Sequence, residues 1–150
     1  MLFRSAGVRA AMPPPALMRM IRSRKVDAVV ICPSNPFVSF APILAVPAIR
    51  AWLKARPFPV IAVSPIVGGA AVKGPAAKMM RELRLNASAG SVARHYGAQV
   101  DHWVIDQQDA ALARVIETMG KRVLVADTLM TSRAKSSALA RNLQIGRAHV

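Results

Sequence analysis

Two short apolar runs constrain this chain most. AVVIC at Ala28–Cys32 gives way to PSNPFVS, and PVIAV at Pro59–Val63 gives way to SPIVGGAAVKGP. Each run is short and rich in β-branched residues, so each reads as a strand buried on both faces. Each is then broken by Pro, Ser, Asn or Gly, and a helical pattern follows. Strand, polar loop and helix start, used twice, is the sequence form of a parallel α/β sheet. In such a sheet the loops lie together at the carboxyl ends of the strands, where open α/β sheets hold nucleotides.

The rest of the chain continues the alternation. Ala16–Arg24 is expected to form a short helix with Leu17, Met20 and Ile21 on one face. A second helix resumes near Pro47, because proline is accepted in a first turn and not in a helix interior. Ile49, Trp52 and Leu53 give it an apolar face. Ser64–Gly74 reads as a loop, Pro75–Leu83 as a helix, and Ala89–Tyr96 as a helix stopped by Gly97. Asp101–Ile105 is the third strand and Arg122–Ala126 the fourth. Asp106 or Asp109 is placed to cap a helix over Ala110–Met119, and Ser132 to cap one ending at Leu143. The expected fold is α/β: a Rossmann-like parallel sheet with flanking helices, incomplete because upstream strands are missing.

The 150 residues suit one domain. No uncharged apolar run reaches ~18 residues, so no membrane span is expected, and MPPPALM is no signal core. Cys32 is the only cysteine, which excludes an internal disulfide and points to a reducing compartment, hence a cytoplasmic location. It is read as a small buried residue at a strand end rather than as a nucleophile. The net charge is +14, from 21 basic and 7 acidic residues. Nucleic acid or an anionic small molecule would answer that charge. The basic residues are scattered apart from RMIRSRK at Arg19–Lys25, and aromatic residues are few, so nucleic-acid binding is disfavoured.

The candidate ligand site is built from both loops. Ser34, Asn35, Pro36 and Ser39 supply hydroxyl and amide groups, a rigid backbone, and amides at a helix start that could take a phosphate. The alternative is an ordinary capped turn. Ser64, Gly68, Gly69, Lys73 and Gly74 supply close backbone approach and one mobile charge; the alternative there is a flexible turn. Neither GxxxxGK[ST] nor GxGxxG is present. Asp127 could face the same edge as a base or metal ligand, although helix capping explains such a residue as well. His95 and His102 have no partner at metal-ligand spacing, and no serine sits in a GxSxG elbow, so zinc catalysis and a hydrolase triad have no support.

The ends differ in kind. Residues 1–5 read MLFRS and residues 145–150 read IGRAHV. One DNA sequence, AGATCGGAAGAGCAC, encodes Ile-Gly-Arg-Ala and begins His, and its inverse in another frame encodes a GTG start followed by Leu-Phe-Arg-Ser. It looks like a sequencing adapter. Residues 6–144 are therefore expected to be the C-terminal part of a single domain from a longer gene, flanked by two adapter-encoded tails.

Several ordered motifs resemble one family. CPSNPFVSF-API, AVSPIVGG-AVKGPA-KMM, VARHY…D.WVID..D and ADTLM are similar to 2-phospho-L-lactate transferase of coenzyme F-420 biosynthesis, over about residues 6–143. The resemblance implies a Rossmann-like fold and transfer of a phospholactate-type group. The donor would be a guanosine-diphosphate-linked three-carbon acid, phosphoenolpyruvate-derived or related. The acceptor would be the deazaflavin precursor Fo, the leaving group GMP and the cofactor magnesium. A homodimer of the full-length protein is a further expectation.

The chain departs from the family in lacking its glycine-rich GGTGG loop and its metal-binding aspartates, which belong to the upstream half; the Mg2+ ligands are expected there. It also has Phe40, Ala41 and Ala70 where the family often has Ile, Gly and Lys. The two loops carry over as substrate-site lining, with no catalytic residue assigned, and the fragment alone is expected to be inactive. Two alternatives stand beside this reading: a nucleotide-sugar-binding regulator of the same fold, and a basic nucleic-acid-binding module.

Overall fold

The computed structural model describes residues 6–23 and 25–147. The expected tail at residues 1–5 lies outside them, as do residues 24 and 148–150.

Helix α1 covers Pro15–Ser23 and buries none of its residues. Strand β1 is Val29–Ile31. A single wide turn, Pro36–Phe40, leads into α2 at Ala41–Ala45, and α3 follows at Pro47–Lys54. Strand β2 is Val60–Val63, buried throughout. The segment expected as a loop contains a small hairpin instead, β3 at Ile66–Val67 and β4 at Ala70–Ala71. Its turn is Gly68-Gly69, with φ of 56° and 78°, a left-handed pair that side chains rarely adopt. Helix α4 is Ala76–Glu82, with Pro75 just outside it as the cap, and α5 is Ala89–Tyr96. Strand β5, His102–Asp106, starts and ends one residue later than expected. The helix expected over Ala110–Met119 is a 3-10 segment, Gln107–Leu112, followed by the short α6 at Ala113–Glu117. Strand β6 is Arg122–Ala126, and α7 runs Arg133–Arg147, beyond the expected end at Leu143.

The four longer strands form one parallel sheet in the order β1-β2-β5-β6. With its flanking helices this is the expected Rossmann-like α/β arrangement. Residues alternate between the two faces of each strand. One face carries Ile31, Val60, Ala62, Trp103 and Ile105, and all of α2 to α6 contribute to the core against it. Trp103 is fully buried there, 5.4 Å from the Tyr96 ring. Its indole N–H meets no acceptor among the described residues, so apolar burial and ring contacts hold it.

The opposite face is covered differently. Helix α7 brings Leu139 and Leu143 over Ile61, Val63, Val104 and Ala126. It leaves the outward side of β1 open. Val30 is 44% exposed and Cys32 is exposed, which corrects two expectations. β1 is not covered on both faces, and Cys32 is not a buried strand-end residue. The reason is position: β1 pairs only with β2 among the described residues and lies at the sheet edge, where α7 leaves a groove beside it instead of closing over it.

Candidate functional site

A cavity of about 720 Å³ opens at the carboxyl edge of the sheet. Pro65 after β2 and three longer segments wall it. Ser34 and Asn35 come from the turn after β1, Val72 and Lys73 from the segment after β4, and Thr128 to Thr131 from the segment after β6. Parallel strands end on the same side, so residues far apart in sequence meet here. Pro33, Pro65, Val72, Leu129 and Met130 make much of the wall apolar, and Lys73 is its one charged side chain. Such a wall suits a ligand with an apolar body and an anionic group.

Of the residues expected from sequence, Ser34, Asn35 and Lys73 are brought together. The others are not. Pro36 is buried and lines a separate hollow with Phe40 and Tyr96, while Ser39 is exposed on the turn beyond. Ser64 is 1% exposed, and its hydroxyl donates to the Ile66 carbonyl at 2.8 Å and accepts the Ile66 N–H at 3.2 Å. Gly68 and Gly69 sit at the hairpin turn, where Gly68 N–H donates to Asp109 Oδ2 at 3.2 Å. Gly74 is exposed beside Lys73.

The helix start after β1 offers no free amides. Asn35 Oδ1 accepts the N–H groups of Phe37 and Val38 at 2.9 and 3.3 Å, and the Asn35 carbonyl accepts those of Ser39 and Phe40 at 3.1 Å. Asn35 is therefore a cap, and the expected phosphate-binding amides are already satisfied by it.

The residue that sequence reasoning missed is Thr128, 3% exposed and bound to Asp106. Its N–H and its hydroxyl both donate to Asp106 Oδ2, at 2.9 and 2.8 Å. Asp106 Oδ1 accepts the Gln108 N–H at 3.1 Å, which is the cap expected of it. Burial pushes the Asp106 carboxyl up, but these hydrogen bonds outweigh burial and hold it below its usual value. Burial pushes Asp109 up; the Gly68 N–H opposes this and the nearby Asp106 charge adds to it. Asp127 is exposed and pairs with Lys135 at 2.8 Å, while its Oδ1 accepts the Leu129 N–H. The Lys135 contact leads in holding its carboxyl below the usual value. An acidic residue ending an apolar strand was the available signal, but its distant partner carries no mark in sequence.

Among the described residues no group of three or more metal-ligating side chains comes together. Asp106 and Asp109 accept hydrogen bonds from Thr128 and the Gly68 N–H, and Asp127 pairs with Lys135. No single described helix is long and apolar enough to cross a membrane.

Comparison with known proteins points one way. Residues 5–143 match the family model for 2-phospho-L-lactate transferase CofD. A phosphoenolpyruvate transferase of Streptomyces griseus is 39% identical over 136 residues, which cover 90% of this chain and 42% of that protein. A 2-phospho-L-lactate transferase of Methanosarcina acetivorans is 47% identical over 116 residues, 77% of this chain and 37% of that protein. One from Methanosarcina barkeri is 45% identical over 114 residues, covering 76% and 36%. The chain thus spans roughly two-fifths of the relatives it matches.

Proposed function

The chain belongs to the 2-phospho-L-lactate transferase family, and from that premise we propose that it is one part of a transferase of coenzyme F-420 biosynthesis. The donor in this reading is a three-carbon acid phosphate linked to GMP through a diphosphate, and the acceptor is the deazaflavin precursor Fo. A hydroxyl oxygen of Fo forms a bond to the phosphorus next to the acid. The bond from that phosphorus to GMP breaks, GMP leaves with the electron pair, and the hydroxyl proton is lost. Little covalent work falls to the protein, so holding the two substrates in line supplies most of the rate. The names of the relatives differ in the acid, phospholactate or phosphoenolpyruvate, and share a carboxylated three-carbon phosphate.

One observation carries this reading. The family match runs through both loops and the ADTLM segment, and Ser34, Lys73 and Thr128–Thr131 from those three stretches wall one cavity. Lys73 provides the charge for a phosphate or carboxylate. Magnesium in this reading is held by the upstream half. The lone cysteine and the biosynthetic role favour the cytoplasm.

The test joins the upstream half of the Streptomyces griseus relative to this chain and follows Fo-dependent GMP release. The fusion is expected to turn over and residues 1–150 alone are not. In the fusion, Lys73→Ala should lower kcat/KM about ten- to a hundredfold, the range for one charge-assisted contact. Lys54→Ala, on an exposed face of α3, should stay near the parent, and so should Ser39→Ala. Equal kcat/KM in the Lys73 and Lys54 variants would move the site off this cavity. A fusion that folds but releases no GMP would refute the transferase reading.

A further inference from the structure

We propose that Asp106 is a positioning residue of this site, holding the β6 wall of the cavity in place through Thr128. The inference rests on the transferase reading for its kinetic consequence. Its structural basis is independent of that reading.

The Asp106 side chain is 3% exposed, and both its oxygens are engaged. Oδ1 takes the Gln108 N–H, the local cap. Oδ2 takes two donors from one distant residue, the N–H and the hydroxyl of Thr128. A carboxylate so occupied is poorly placed to take a proton from a substrate or to ligate a metal. It is well placed to fix a backbone, because charge-assisted hydrogen bonds are the strong ones and burial strengthens them further.

What it fixes is a working surface. Thr128 is the first of four consecutive residues that line the cavity, ahead of Leu129, Met130 and Thr131. The segment turns tightly, with Thr131 N–H donating to the Leu129 carbonyl at 2.8 Å. From the solvent side Asp127 accepts the Leu129 N–H. Asp106 is the inner anchor and the only buried one of the two. An isolated cap would need one oxygen and no partner beyond Gln108. The second oxygen ties the end of β5 to the wall after β6.

The test compares Asp106→Asn, Thr128→Val and Thr128→Ser in the fused full-length enzyme. Valine keeps the shape of threonine and loses the hydroxyl; serine keeps the hydroxyl and both bonds. Two readouts are taken well below the melting temperature. The first is amide hydrogen exchange. Thr128→Val and Asp106→Asn should speed exchange at Leu129 and Thr131 at least about tenfold, with a smaller change across β5 and β6, and Thr128→Ser should match the parent. The second is kinetic. The first two variants should raise the KM of one substrate about tenfold with a smaller change in kcat, and serine should restore it.

A purely structural role predicts a lower melting temperature with both KM values unchanged, and that outcome overturns the proposal. Unchanged exchange at Leu129 and Thr131 in both variants also overturns it. A fusion inactive in its parent form would count against the transferase reading, and exchange would then decide the brace alone.

Discussion

Arg56 and Asp101 lock the entrance of the sheet. Arg56 Nη2 lies 3.1 and 3.0 Å from the two Asp101 oxygens, and Asp101 Oδ2 also accepts the Val60 N–H at 2.8 Å. One carboxylate thus fastens the start of β2 to the start of β5 and holds the arginine that follows α3. Removing it would leave the amide of a fully buried residue without its partner. Asp101→Ala is expected to cost about 1–3 kcal/mol. Arg56→Ala loses the ion pair and its bonds to the Leu53 and Ala98 carbonyls but keeps the Asp101–Val60 bond, so it is expected to cost less. Urea unfolding of both variants checks the order; an Arg56 loss as large as that of Asp101 would mean that the arginine's contacts together outweigh the backbone bond.

Asn35 is expected to act on stability as well as on any ligand. Asn35→Ala removes the acceptor for two amides and should cost about 0.5–2 kcal/mol. Asn35→Asp keeps the acceptor and should retain most of that stability. Thermal melts without substrate decide this, since a residue that only touched ligand would leave the melting temperature unchanged.

The pH dependence of stability should carry opposite marks from Asp106 and Asp109. Asp106 is held below its ordinary value of 3.8, so the folded state binds fewer protons than the unfolded one. Its contribution is present above 3.8 and is lost as pH falls through the folded value. Asp109 is raised above 3.8, so the folded state binds more protons and stability falls as pH rises through that window. Asp109→Asn should therefore gain on the parent as pH rises past 3.8, and Asp106→Asn should lose on it over pH values up to 3.8. Melting temperatures measured from acid to neutral pH give both curves. Differences that do not vary with pH would remove the electrostatic account.

The open side of β1 should make the chain self-associate. Val30 and Cys32 lie in an apolar groove of about 410 Å³ with Ile61, Val63, Leu139 and Leu143, and among the described residues the strand edge beside it is unpaired. Exposed edges and apolar patches are sites of association. Val30→Lys should shift sedimentation toward the monomer with little change in melting temperature. An unchanged distribution would place the association elsewhere.

The four main strands were legible because each is a short β-branched run ended by a residue that breaks it. Helices α3 and α5 announced themselves through a leading proline and a trailing glycine. The β3–β4 hairpin did not, because strands of two residues have no period to detect. The exposure of Cys32 was hidden for another reason. Its apolar neighbours predict burial, and only the placement of α7 shows which face goes uncovered. At the site, Ser34 and Lys73 could be paired from the logic of a parallel sheet, whereas Ser64 could not be told from them until its hydroxyl was seen turned onto Ile66. The Asp106–Thr128 bond joins two loops whose contact no local pattern records.

The strand order has a kinetic consequence. Strands β5 and β6 pair over five residues, from His102 with Arg122 to Asp106 with Ala126, across the shortest crossover in the sheet. β1 and β2 pair over three, across a longer one. Closing a shorter loop costs less entropy and is rewarded here by more ladder, so β5–α6–β6 is the unit expected to assemble first. Synthesis runs the other way. β1 leaves the ribosome before β5 and β6, and it must wait for them before the sheet it belongs to has this nucleus.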